Sequence, residues 1–432
     1  MGFRFKWVLV ALLVFVAGQP ERAAGELPKI RVGLLQDRES VSFSGPAGIT
    51  VQALHGDRVI AWAPPGQVWT AGRESRHVRL SDEAGSQSWA LDRGLRLLPP
   101  EGGVVALHGV GGHWDEVTDR EYRGTLEVRR DRVGGLTVVN VVGIETYLRG
   151  VVPSEMPATY PLAALKAQAV AARGQALIKA GRHRSEGFDL CAGQHCQVYG
   201  GATSEAASTD RAVAETRGEV LEYDGRLADT LYSSNCGGHT ANNEDYWPDQ
   251  KPVPYLRGRP DFDPERVALE FPLSQEDLDL YLKYAPPVNC NQPRYASSSK
   301  IRWWSVMPRK ELAKTICQTV GDFGELLDLR VTERADCGMA RELTVIGSRR
   351  LYKVRGPAEI RRVLGGLNSA TFAVSAVRER DDLPAAFVIW GAGWGHQVGM
   401  CQVGAAGLAD AGWDYREILS KYYLRCRIAR RY

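Results

Sequence analysis

Near Ile144 the chain changes its hydrophobic period, and this change constrains its fold more than any other feature. Before it, short apolar stretches alternate with polar residues and are broken by Gly and Pro. After it, apolar residues recur at about the 3.6-residue period of a helix. Strands are expected at residues 30–35, 41–43, 59–62 and 95–98, with turn clusters at 64–66 and 99–103. Residues 126–130 and 136–142 read as a hairpin joined through Gly134-Gly135. Helices are expected at 144–152 and 163–181. In the second, Ala164, Leu165, Ala167, Gln168, Ala171, Ala172, Gln175 and Ala176 share a helical period. Its small side chains allow close packing against another element. Pro161 suits its start and Gly181 its stop.

Further on, residues 205–217 read as a helix ended by Gly218, and 219–223 and 228–233 as strands around an Asp224-Gly225 turn. Residues 265–285 hold one or two helices, and 300–380 alternate strand and helix signals. A strand at 386–390, a glycine-rich loop and a helix at 399–411 close the chain. The expected fold class is α+β: a β-rich N-terminal part, then a mixed α/β catalytic body with an inserted strand-helix lobe. The corresponding segments are 1–25 (signal peptide), 26–122 (β-rich), 123–289 (first part of the core), 290–380 (inserted lobe) and 381–432 (last part of the core).

The N-terminus carries an export pattern. Arg4 and Lys6 precede an apolar run of eleven residues, 7–17, and small residues follow at Ala23-Ala24-Gly25. A spanning helix needs about 20 residues, so cleavage after Gly25 is expected over retention as an anchor. The expected location is the periplasmic or cell-wall space. With 54 basic and 51 acidic side chains the formal net charge is only +3. No Lys/Arg stripe interleaved with aromatics appears, so nucleic acid is not an expected partner. All eight cysteines lie in the exported part, where some should be paired.

Three segments carry chemistry. In residues 150–157 (GVVPSEMP), Glu155 lies between two prolines and beside Val152 and Met156. A carboxyl held rigidly in apolar surroundings should have a raised pKa, as a general acid near neutrality requires; a glutamate on a surface loop is the other reading of the same residues. In residues 231–240 (LYSSNCGGHT), small polar groups follow a strand and could line a sugar cleft; Trp247 and Tyr255 follow as aromatics able to stack on a sugar face. In residues 390–405 (WGAGWGHQVGMCQVGA), alternating glycines lead into a helix. The Lys-Ser/Thr pair of a phosphate loop is missing, so nucleotide is not expected. Close approach of an extended polymer to the loop backbone fits better.

Taken together, these segments resemble the stage II sporulation protein D and amidase-enhancer family of bacterial cell-wall enzymes. The resemblance runs from about Arg123 to the C-terminus. It is sharpest at residues 150–157, 165–177 (LKAQAVAARGQAL), 232–240 and 391–423. It implies lytic cleavage of peptidoglycan glycan strands, preferentially those stripped of stem peptides, giving 1,6-anhydro-muramic ends. Glu155 matches the family's catalytic glutamate, and Arg173 an arginine expected to bind or orient substrate. Ser233, Ser234, Thr240, Trp247, Tyr255, His396 and Gln402 are the expected substrate-binding residues. No cofactor is required for this chemistry. The resemblance also implies a zinc at His183, Cys191, His195 and Cys196 in some members, here spaced H-x7-C-x3-H-C; a Cys191–Cys196 disulfide fits the same spacing. Family members often have serine where this chain has Cys236 and Cys401, and that joint departure suggests a Cys236–Cys401 bridge. The alternative function is non-enzymatic: a wall-binding enhancer whose partner is a cell-wall amidase.

Overall fold

The computed structural model describes residues 27–432 except 57, 112–116, 264, 266, 268 and 379–382. The expected signal peptide lies outside the described residues, among which no helix is long and apolar enough to cross a membrane. The fold is mixed α+β, with β-rich N-terminal sheets and a mixed α/β middle region.

Two N-terminal sheets come from the period-2 stretches. One has seven strands; Lys29–Arg38 pairs antiparallel with Leu136–Gly143, which pairs in turn with Thr125–Arg130 through the expected hairpin. The other has six strands, with Ser40–Ser44 between Val105–Gly111 and Trp69–Glu74. The inward residues of both sheets, among them Val32, Phe43, Trp69, Leu95, Leu107 and Val138, join one core. That same core continues into the helices Ile144–Glu155 and Leu162–Lys179. The boundary expected at residue 122 therefore falls within a single sheet: Leu136–Gly143 pairs with Lys29–Arg38, and Thr125–Arg130 pairs with Gly94–Leu98.

Leu162–Lys179 is the central helix. From Ala164 to Ala176 every residue except Lys166 is buried, and the closely packed side chains are mostly alanine. Small side chains let the helices Ile144–Glu155, Ala207–Glu215 and Gln402–Asp410 approach it closely. The first helix runs past its expected end to Glu155, because Pro153 falls in its last turn and removes only one N–H. The helix expected at 399–411 starts at Gln402, and a further helix, Tyr415–Tyr422, follows it. Met400–Cys401 pairs in parallel with Tyr232–Ser233, which holds the chain extended up to the cap. The expected strand at 228–233 is real only at this Tyr232–Ser233 pair, and among the described residues of 265–285 there is a single helix, Gln275–Lys283.

A second hydrophobic core lies between Trp303 and Ile389 in sequence, with Leu312, Ile316, Leu343, Val345, Phe372 and Phe387. Around it stand the strands Arg302–Pro308, Phe372–Arg378 and Pro384–Ala392, the sheet Leu326–Arg334, Ala340–Gly347 and Leu351–Arg355, and the helices Arg309–Val320 and Pro357–Val363. This strand-helix unit docks on the rest of the chain through an apolar cluster, in which Leu278, Tyr281 and Leu282 meet Ala373 and Ala392, and through polar contacts. Trp303 Nε1 donates to Gly393 O at 3.1 Å, and Arg361 donates to the Tyr246 hydroxyl at 3.0 Å.

Candidate active site

Glu155 ends its helix at the wall of a cleft of about 830 Å³. Its Oε1 accepts the Val198 N–H at 2.7 Å. Protein atoms crowd the carboxyl, and this burial pushes its pKa up to about 7, against weaker opposing pulls from Val198, Tyr232 and Lys179. The negative end of the helix dipole lies on the same side, which also disfavours a carboxylate there. Behind the carboxyl, Gln197 ties three elements together. It accepts from the Tyr147 hydroxyl at 3.1 Å and donates to Ala172 O at 3.2 Å and to the Tyr232 hydroxyl at 3.1 Å.

The second and third motifs meet on the opposite side. Their junction is the parallel pairing of Tyr232–Ser233 with Met400–Cys401, extended by bridges from Asn235 to Trp394 and from Ala241 to Val398. Ser233, Ser234, Trp247, His396 and Gln402 all line the Glu155 cleft. His396 Nδ1 accepts the Val398 N–H at 3.0 Å, which leaves Nε2 as the ring donor. Burial pulls its pKa down to about 4, so it is neutral at pH 7. Its ring packs 5.1 Å from that of Trp247.

The alternating glycines serve the chain's own path, and Gly395 also lines the cleft. Gly393, Gly395, Gln397 and Gly399 all take positive φ. A Cβ at Gly399 would stand 2.0 Å from Leu231 O. Gln397, the one side chain in this left-handed series, offsets its strain with hydrogen bonds to Cys236 O at 2.7 Å and from Thr371 at 2.8 Å.

Three expected site residues stand elsewhere. Arg173 is 0% exposed and does not line the cleft. Its guanidinium makes a two-pronged ion pair with Glu145, both contacts at 2.8 Å, and donates to Glu219 O at 3.0 Å. A side chain with these buried partners holds helices together and has no donor directed to a substrate. Thr240 bonds the Arg259 backbone and faces a neighbouring cavity with His239 and Phe271. Tyr255 accepts the Asp229 N–H at 2.9 Å and packs at a tilt against the Tyr223 ring, outside the cleft.

Several lining residues carried no clear sequence signal. Lys179 and Arg182 follow from the end of the central helix, and Arg361 comes from the strand-helix unit. Asp229 brings a second carboxyl, raised by burial, whose Oδ1 is buried without a hydrogen-bond partner. Trp394 is 38% exposed on the cleft wall. Its exposed indole within a glycine loop was the one signal available.

His183, Cys191, His195 and Cys196 converge at one end of this cleft, with ligand atoms all within 4.8 Å of one another. Cys196 Sγ lies 3.4 Å from His183 Nε2 and 3.7 Å from His195 Nδ1, and Cys191 Sγ lies 3.8 Å from His195 Nδ1. Zinc bonds of about 2.3 Å to sulfur and about 2.0 Å to nitrogen put tetrahedral neighbours about 3.6 Å apart, so the set fits zinc. His183 Nδ1 meets Glu186 at 2.6 Å, which places a carboxylate behind a histidine able to serve as a ligand. Cys191 is placed by parallel pairing of Leu190–Cys191 with the N-terminal strand, and no disulfide joins it to Cys196. Cys236 and Cys401 do come together, with Cys236 N donating to Cys401 Sγ at 3.2 Å, but they too are unbridged. Cys290 stands 3.7 Å from the Cys236 sulfur, so the pair expected from the sequence is a group of three.

A profile described as "Stage II sporulation protein" (SpoIID) matches residues 132–223, the stretch holding Glu155 and the His/Cys set. A "Domain of unknown function (DUF8618)" profile matches residues 241–399. The amidase enhancer of Bacillus subtilis (strain 168) is 31% identical over 289 residues, 64% of this chain and 39% of that protein. The chain thus spans about two fifths of that relative's length. An uncharacterized protein of Brachyspira hyodysenteriae is 30% identical over 294 residues, 67% of each chain. Stage II sporulation protein D of Bacillus subtilis (strain 168) is 27% identical over 314 residues, 67% of this chain and 76% of that protein. By these matches, and by the motifs that build its cleft, the chain belongs to the SpoIID family of stage II sporulation proteins.

Proposed function

We propose that the chain is an exported lytic transglycosylase that cleaves the glycan strands of peptidoglycan, with Glu155 as its general acid. The observation that carries this reading is the Glu155 carboxyl, at the wall of a cleft of about 830 Å³ and raised to about 7. At neutral pH such a group holds a proton and can release it. It protonates the bridging oxygen of a muramoyl linkage as the bond to the anomeric carbon breaks. The sugar's own 6-hydroxyl closes on that carbon, and the Glu155 carboxylate takes up the hydroxyl proton. The products are a free 4-hydroxyl on one fragment and a 1,6-anhydro ring on the other, with no water consumed.

The cleft walls suit such a strand. Trp247 and Trp394 offer faces for sugar rings. Lys179, Arg182 and Arg361 supply positive charge for the lactyl carboxylates that muramoyl residues expose once stem peptides are gone. Zinc at His183, Cys191, His195 and Cys196 would have four protein ligands, and hence a structural role with no site for activated water. Through Cys196 it would fix the segment whose Val198 N–H holds Glu155. Asp229 is the carboxylate that a hydrolytic route would recruit.

A second reading has a specific observation behind it: one relative is named an amidase enhancer. In that reading the cleft binds wall and presents it to a partner amidase without cleaving it. Glu155→Gln separates the two. As a transglycosylase the variant binds stripped glycan but loses cleavage by roughly 10²–10⁴-fold. Full stimulation of an amidase by the variant, with no cleavage by wild type, supports the enhancer.

A further inference from the structure

Behind the cleft wall, three thiols and a carboxylate converge in the core. We propose that Cys236, Cys290, Cys401 and Asp261 bind a zinc ion of their own, a structural centre distinct from the histidine-containing set. This proposal does not depend on the glycan reading.

The geometry is that of a ligand set. One ligand atom from each residue lies within 4.8 Å of all the others. The Cys236 and Cys290 sulfurs stand 3.7 Å apart. Two sulfurs bound to zinc at about 2.3 Å stand about 3.8 Å apart in a tetrahedron, whereas a disulfide brings them to about 2.05 Å. All four side chains are enclosed, with exposures of 1% for Cys236 and Cys290 and 0% for Cys401 and Asp261.

The surroundings favour thiolate and carboxylate. Cys401 caps the helix Gln402–Asp410, and its sulfur accepts N–H groups from Cys236 at 3.2 Å and Gly404 at 3.3 Å. Asp261 is oriented by the Cys290 N–H at 2.9 Å and the Tyr422 hydroxyl at 2.8 Å. Among the described residues no Lys, Arg or His forms an ion pair with it; Lys421, the nearby cation, donates to Pro260 O instead. A fully buried carboxylate without a cation is strongly disfavoured, and a divalent ion supplies the missing charge. Gly404 keeps this approach open: a Cβ there would stand 2.9 and 3.0 Å from the two Asp261 oxygens.

Thiol arithmetic points the same way. Three thiols can form one disulfide, which strands the third beside an unpaired carboxylate. A single zinc uses all four groups. The sulfur-rich set excludes calcium and magnesium, which take oxygen ligands. The centre would join the second motif, the segment around Asp261 and Cys290, and the helix that carries Gln402.

The test removes the other set first. Cys196→Ser protein, purified from zinc-replete culture, should retain about one zinc per chain by elemental analysis. Replacing that zinc with cobalt should produce intense thiolate-to-cobalt absorption. Adding Cys290→Ser should abolish both signals. Because that double variant could fail to fold, Asp261→Asn on the Cys196→Ser background is the second test: it should release zinc to a chelator at least about tenfold faster, as expected when one ligand is weakened. Cys196→Ser protein that holds no zinc overturns the proposal, and so does a peptide map in which Cys236 is bridged to Cys290 or Cys401. Unchanged zinc release from the Asp261→Asn variant removes Asp261 from the centre.

Discussion

Gln402 donates its side-chain amide to the backbone carbonyl of Glu155 at 3.0 Å, across 247 positions of sequence. The third motif thus fixes the end of the helix that carries Glu155. Gln402→Leu removes this tether by replacing the amide with an apolar side chain of similar size. A displacement of about 1 Å can lower turnover on the order of 10²-fold. Wall digestion by the variant should slow by about 10- to 100-fold, with kcat falling more than KM rises. Unfolding by circular dichroism should shift little.

The rate should follow the protonation of Glu155. Its carboxyl is raised to about 7 by burial, so the proton-bearing form prevails below that pH. Initial rates of strand cleavage should be level on the acid side of neutrality and fall about tenfold per unit well above it.

The same shift bears on stability, with a definite sign. The folded chain holds the Glu155 proton more tightly than the unfolded chain, whose glutamate titrates near 4.5. The associated stability is complete below the unfolded value and is lost as pH rises through about 7. Glu155→Gln carries no such loss. The variant should match wild type in denaturant unfolding near pH 4.5 and exceed it by about 1–3 kcal/mol near pH 8.

Arg173 should matter for folding rather than for substrate. Its removal leaves Glu145 buried and unpaired, and breaking such a pair costs about 3–5 kcal/mol. Arg173→Met should lower stability by about that amount in urea. The fraction that remains folded should bind stripped glycan with unchanged affinity.

Much of this arrangement is legible in the sequence, and the exceptions have physical causes. The alanine-rich period marks the central helix because small side chains and helical spacing both demand burial. Glu155 is legible because two prolines and apolar neighbours announce a rigid, poorly solvated carboxyl. The H-x7-C-x3-H-C spacing marks a ligand set because its members lie within one short segment. Arg173 misleads because sequence fixes its place on the helix but not its partner, and Glu145 lies 28 residues earlier. Cys290 and Asp261 are silent for a similar reason: no local pattern ties them to Cys236 or Cys401, and only the folded chain brings them together. Arg361 reaches the cleft from the strand-helix unit, whose docking on Tyr246 leaves no trace in spacing.

Loss of the His/Cys set at the end of the cleft should slow the chemistry without changing its products. Cys196→Ser should lose about one zinc relative to wild type by elemental analysis. It should also slow cleavage, because Val198, the donor to Glu155, lies two residues beyond Cys196. The product ends should be unchanged. Wild-type protein whose peptide map shows Cys191 bridged to Cys196, with no zinc at this set, contradicts the assignment.

The central claim is the intramolecular closure that follows proton transfer from Glu155, and mass analysis of the ends released from stripped glycan tests it most directly. Wild-type protein should yield 1,6-anhydro ends about 18 Da lighter than hydrolysed ends, since ring closure replaces the addition of water. Glu155→Gln should yield almost none of either. Free reducing ends from wild type would contradict the account, identify a hydrolase, and turn attention to Asp229 as its second carboxylate.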